Sequence, residues 1–141
     1  EVIWQLRRAD ASVIRQGRET VTVEPLSSKW LEYEDFADAD TFGDYIAYQM
    51  TENGAPAASG TALFCAPKHF RFADPQLALR VEGDEIVVTA AAYARSVQIL
   101  NADDTLKLSD NFFDMNAGET RVRILSGQPS GLRVRSVYDI R

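Results

Sequence analysis

The chain has 141 residues, with 15 Lys and Arg against 21 Asp and Glu, for a net charge of −6. That length holds one ordinary domain or two small ones and leaves no room for a large catalytic barrel, and the acidic balance argues against a surface for duplex nucleic acid or an anionic membrane. With 45% hydrophobic and 26% charged residues the usage is globular, so a packed core is expected.

Cys65 and His69 are the only residues of their types, so the fold has no intrachain disulfide and the usual nitrogen and sulfur ligands of a zinc site are too few. No cofactor and no metal is expected. No apolar run reaches the length of about 18 residues that a membrane helix needs. The start at Glu1, with neither a leader nor an initiator Met, reads as a processed or excised piece. The compartment stays open between a soluble cytoplasmic and a secreted location.

Along the chain the apolar period is mostly two. Val2, Trp4 and Leu6 alternate with Gln5 and Arg7, and Val21 with Val23 repeats the pattern after Gly17, which reads as strands. A run follows at 29–33, then one short helical turn between Asp38 and Asp44, then a strand from Tyr45 to Met50. Asn53-Gly54 is a hairpin signal because both residues accept positive φ. The succeeding Ala55-Pro56-Ala57-Ala58-Ser59-Gly60 reads as an exposed loop extending that turn. Thr61 to Cys65 and Phe70 to Phe72 are further short strands.

Asp74-Pro75 disfavours helix at Asp74 and reads as a stiff connection. Beyond it Leu77, Leu79 and Val81 alternate, Gly83-Asp84 turns, and Ile86, Val88 and Ala90 return. The stretch from Ala90 to Arg95 is rich in helix formers, and Tyr93, Val97 and Leu100 have helical spacing. Yet Tyr93, Arg95, Val97 and Ile99 also alternate between flanking strands, so strand, turn, strand is the expectation. Leu106 with Leu108, Val122 with Ile124, Leu132 with Val134, and Val137 with Tyr138 complete roughly a dozen strands. That is too many for a single sandwich. The expected fold is all-β, of immunoglobulin-like β-sandwich modules at residues 1–74 and 75–141, the first incomplete at its N-terminus.

Two strings carry a resemblance. Phe64-Cys65-Ala66-Pro67-Lys68 fits an F-x-x-P-K strand end, and Asp110-Asn111-Phe112-Phe113-Asp114-Met115-Asn116-Ala117-Gly118-Glu119 fits D-N-[FY]-F-D-[LM]-x-P-G-E with Ala117 in place of Pro. They stand in that order about 40 residues apart, a spacing that suits one sandwich module. The chain thereby resembles the C-terminal region of β-mannosidases of glycoside hydrolase family 2. The resemblance implies that residues 1–74 are the latter part of the penultimate domain and 75–141 the terminal one. It further implies a parent enzyme that releases terminal β-linked mannose by a retaining mechanism, with the catalytic barrel and preceding domains as partners.

From the residues themselves, Asp110 and Asn111 are side-chain-to-backbone bonders that brace a tight entry, while Phe112 or Phe113 and Met115 enter the core. With Pro67, Lys68, Asp114 and Gly118 they form the candidate structural motif. A calcium site at Asp110, Asn111 and Asp114 is the weaker alternative, since the loop lacks the glycine and distal Glu of such sites.

Retaining glycosidases need two carboxyl groups about 5 Å apart. In the resembled family both belong to the barrel, so no catalytic residue is expected in this chain. Glu32, Glu34, Asp35, Asp38 and Asp40 read as a solvated acidic loop. Trp4 falls in phase with the core, whereas Trp30, Tyr45 and Tyr48, with Tyr33, are the candidates for stacking on a mannose-containing oligosaccharide. Arg121 and Arg123, with Arg133 and Arg135, read as solvent-facing pairs on neighbouring strands. A non-catalytic scaffold is therefore expected, with a carbohydrate-binding module or an immunoglobulin-like adhesion or interaction domain as alternatives.

Overall fold

A computed structural model describes residues 1–32 and 34–140. In chain order its strands are β1 (Val2–Arg8), β2 (Val13–Glu19), β3 (Asp44–Glu52), β4 (Ala55–Leu63), β5 (Ala78–Glu82), β6 (Glu85–Ala90), β7 (Ala94–Leu100), β8 (Lys107–Leu108), β9 (Phe113–Met115), β10 (Gly118–Ser126) and β11 (Arg133–Arg135). Two short 3-10 turns, Pro67–His69 and Val137–Ile140, are the only helical elements among the described residues. The molecule is all-β, and its chain contacts divide into two units: Glu1–Arg8 with Ser12–Phe70, and Ala9–Ala11 with Arg71–Arg141.

The first unit holds one antiparallel sheet in the order β2-β1-β3-β4. Register places Trp4 opposite Gly17 on one side and Tyr48 on the other, and Tyr48 opposite Gly60. Alternation then puts Val2, Trp4, Leu6, Tyr48 and Met50 on one face and Tyr45 and Ala47 on the other. Tyr45 is fully buried, its ring edge-on to that of the buried Phe70. The hairpin at Asn53-Gly54 is present with φ of 51° and 80° at its two central residues, as a two-residue turn with positive φ at both positions requires.

Several strand assignments differ from the sequence reading. Because that turn is only two residues long, pairing resumes at once with Glu52 opposite Ala55, so residues 55–60 are strand and not loop. Small side chains hid β4: nothing in Ala-Pro-Ala-Ala-Ser-Gly is a strand former, and the neighbouring β3 templates it. The second strand is Val13–Glu19, not Val21–Val23, which has no regular structure. Its alternation is masked because Gly17 stands where a side chain would be, leaving room for the Trp4 ring. Residues 29–32 and Phe70–Phe72 form no strand either. Between Asp38 and Asp44 the chain makes a single hydrogen-bonded turn and no helix, closed by the Asp44 amide donating to the Asp40 carbonyl at 2.8 Å.

The second unit is a two-sheet sandwich of immunoglobulin-like type, with β5-β6-β10-β8 in one sheet and β11-β7-β9 in the other. Ile86, Val88 and Val122 from the first sheet meet Ala94, Val97, Ile99 and Met115 from the second in one buried cluster, flanked by Leu79, Leu108, Phe113, Ile124 and Val134. The Ala90 to Arg95 stretch is strand, bend, strand as alternation suggests. Tyr93, fully buried, stacks on Phe72 with ring centres 5.9 Å apart. The Arg pairs are not neighbours: Arg121 and Arg123 lie on β10 of one sheet, Arg133 and Arg135 on β11 of the other.

Candidate functional site

The three stacking candidates do not form a platform. Tyr45 is 0% exposed and packs inward, so it presents no ring face to a sugar. Tyr48 is three residues further along β3 and therefore on the opposite face, half-exposed, with its ring over Gly60. Trp30 is 94% exposed in the irregular segment between β2 and β3. Tyr33 lies outside the described residues.

Trp4 belongs to a partly covered aromatic cluster centred on Phe36. The Trp4 ring meets Phe36 edge-on at 5.3 Å, and Phe36 in turn meets Phe64 at 5.9 Å. The Arg15 guanidinium stands 4.9 Å above the Phe36 ring and 6.0 Å from that of Trp4, a cation–π position that also draws the acidic segment inward. Arg15 donates to the Asp35 carbonyl and pairs with Asp38 at 3.3 Å. Beside Trp4 a groove of about 340 Å³ is lined by Val2, Arg18, Glu19, Leu31, Glu32 and Glu34.

Two of the acidic residues hold local backbone. Asp35 accepts from the Ala37 amide and Asp40 from the Phe42 amide, the turn-capping bonds that short carboxylates make in loops. Glu32, Glu34, Asp35 and Asp38 are all exposed.

The Asp110 to Gly118 motif acts as a clamp between strands of the second sandwich sheet. The Asn111 amide oxygen accepts from the Ile99 amide at 2.9 Å, while its Nδ2 donates to the Ile99 carbonyl at 3.1 Å. One side chain thus replaces both bonds that a facing strand would make on β7. Phe112 follows with φ of 63° and points outward at 60% exposure. Of the two Phe that the sequence left open, Phe113 is the one that packs against the core, in phase with the buried Met115.

Asp114 holds a second point of β7. Its Oδ1 accepts from the Ser96 amide at 2.8 Å, and Oδ2 pairs with Arg95 at 3.5 Å. Ser96 has φ of 50° where the β7–β9 register shifts between Ala94 and Val97. The carboxylate therefore satisfies an amide that the irregularity takes out of the ladder. Gly118, with φ of 127°, opens β10. Pro67 and Lys68 form the 3-10 turn that follows β4, with Pro at its first position, where a missing amide hydrogen costs nothing.

Residues 1–69 match the family of mannosidase Ig/CBM-like domains, and residues 72–140 match the Ig-fold domain family of mannosidases. The chain belongs to the C-terminal immunoglobulin-like region of the family 2 mannosidases. Among solved structures it is similar to a β-D-mannosidase from Dictyoglomus thermophilum, with a TM-score of 0.69 at 14% identity over 96% of this chain and 18% of that one. The mannosidase region thus spans less than a fifth of that enzyme's length. No curated protein sequence matches it.

Within the mannosidase region, one polar network escaped the sequence reading. On the outer face of β5-β6-β10, Arg80 pairs with Glu82 at 2.7 Å and Glu119 at 3.0 Å, and Arg121 with Glu82 and Glu85 at 2.9 Å each. Hydrogen bonds from Arg80 and then Arg121 hold the Glu82 carboxyl below its usual range. Only register reveals it, since Arg80 and Arg121 both face Val87 from opposite sides of β6.

Proposed function

We propose that the chain is a non-catalytic scaffold of a β-mannosidase-like glycoside hydrolase that releases terminal β-linked mannose. Residues 1–74 are the latter part of its penultimate domain, residues 75–141 its terminal domain, and the catalytic barrel and preceding domains are their partners. The observation that carries this is the pair of mannosidase-domain matches, which between them take in 1–69 and 72–140. The motif supports it, because Asn111 and Asp114 spend their polar atoms on the backbone of β7. So does the acidic segment, whose carboxylates are exposed, with Asp35 and Asp40 capping turns, unlike an acid and nucleophile held about 5 Å apart in an enclosed site.

The test is hydrolysis of an aryl β-mannoside by the 141-residue chain. No turnover is expected. Turnover that disappears in Glu32→Gln or Asp35→Asn would place the chemistry here and sink the scaffold reading.

A further inference from the structure

The irregular segment between β2 and β3 projects apolar side chains into solvent. Leu26 is 109% and Trp30 94% exposed, with Val23 at 50%. One exposed apolar residue is ordinary on a protein surface, whereas a Leu and a Trp this close in sequence, both uncovered, mark a contact surface.

The turn that carries Leu26 is strained. Glu24-Pro25-Leu26-Ser27 is closed by the Ser27 amide, which donates to the Glu24 carbonyl at 3.1 Å, and by the Ser27 hydroxyl, which donates to the same oxygen at 2.6 Å. Proline presets the first central position, and the second has positive φ, a place that turns of type II give to Gly or Asn. Here Leu occupies it with φ of 59°, although its Cβ disfavours that region. The turn thus pays a conformational cost to hold an apolar side chain at its apex, where the chain itself offers no contact in return. Strain of this kind points to a contact made elsewhere.

Both anchors are convex. A small ligand needs a concave site, whereas a projecting Leu and Trp enter a cleft on another protein surface, as interface anchors do. The indole adds a requirement for an acceptor facing its N–H, and Glu24 and Lys29 beside the anchors supply a polar rim of both signs. The chain corresponds to 18% of the length of the Dictyoglomus β-mannosidase, so in a parent of that build most of the surface open to the anchors lies in other domains.

We propose that residues 23–30 dock the first unit onto another domain of the parent mannosidase, with Leu26 and Trp30 entering an apolar cleft that holds a hydrogen-bond acceptor for the indole. This rests on the reading of the chain as part of such a parent.

Lys29, exposed and immediately before Trp30, is the reporter, because trypsin cuts where the backbone is free of regular structure and of cover. Cleavage after Lys29, followed by peptide mass spectrometry, should be about tenfold slower in the parent than in the 141-residue chain. Leu26→Asp with Trp30→Asp, both at exposed positions that the fold does not depend on, should return the parent to within about twofold of the chain. A parent that hydrolyses β-mannosides yet is cut after Lys29 as fast as the chain overturns this inference and leaves the functional reading standing. So does a protected parent whose cleavage the double variant leaves slow. Protection in the chain alone as its concentration rises makes a second copy the partner and overturns the inference, and a parent without a catalytic barrel overturns it together with the functional reading.

Discussion

Asn111 and Phe112 are adjacent and chemically opposite in consequence. Removing the Asn111 side chain leaves the Ile99 amide and carbonyl without their partners, so Asn111→Ala should destabilise by about 1–3 kcal/mol. Phe112 is mostly solvent-facing, and Phe112→Ala should fall within about 0.5 kcal/mol. Denaturant unfolding of both variants checks the pair, and equal losses would mean that the clamp is not what the motif supplies. The polar half of this was legible in the sequence, because Asn and Asp before an apolar run are backbone bonders. Which Phe turns inward was not legible: alternation fails at a residue with positive φ, and that φ is set by the clamp. Trp30 belongs at the same scale. With 94% of it exposed, Trp30→Ala should leave the melting temperature nearly unchanged. Calorimetric titration with a manno-oligosaccharide should show no saturable binding below about 100 μM to lose, whereas a sugar-binding hot spot would cost about 2 kcal/mol or more on truncation.

Among elements, β2 and β4 were the ones the sequence concealed, and both flank strands that it showed clearly. Each places a glycine opposite an aromatic residue of the neighbouring central strand, and the ring takes the glycine's space. The two glycines should nevertheless respond differently to a methyl group. At Gly60 the obstacle is the free end of the half-exposed Tyr48, which can swing aside. At Gly17 it is the Trp4 ring, held by Phe36. Gly17→Ala should therefore cost about 1–3 kcal/mol, the overpacking range, and Gly60→Ala clearly less; the reverse order in thermal melts would show that Trp4 is not fixed. In the second unit the Arg80, Glu82, Glu85, Glu119 and Arg121 network ties three strands together. Since the folded state holds the Glu82 carboxyl low, its contribution is present above the ordinary carboxylate range and lost as pH falls through the folded pKa. Glu82→Gln should flatten the acid side of the melting profile, most visibly at low salt, because these groups are exposed and screened.

At the scale of the molecule, the two units were legible for different reasons. The second declares itself through regular alternation at Leu79, Val88, Val122 and Val134, each with a facing row to pack against. The first was harder to read because positions such as Tyr48 and Met50 are only half-buried, so burial does not enforce alternation there, and its edge β4 runs nine residues without a charged side chain. Two surfaces of the first unit are therefore poorly defended against association: the Tyr48 and Met50 face, and the β4 edge, where unpaired backbone groups can template another strand. The 141-residue chain alone should self-associate as its concentration rises. Sedimentation velocity on two variants separates the surfaces. Tyr48→Lys with Met50→Lys places charge on the Tyr48 and Met50 face at half-exposed positions, and should yield a monomer if the face drives association. Ser59→Lys, at an exposed position of β4, should leave the association in place. The opposite result would assign association to strand pairing at the edge, and a wild-type chain that sediments as a monomer at every concentration would show that the first unit needs neither surface covered.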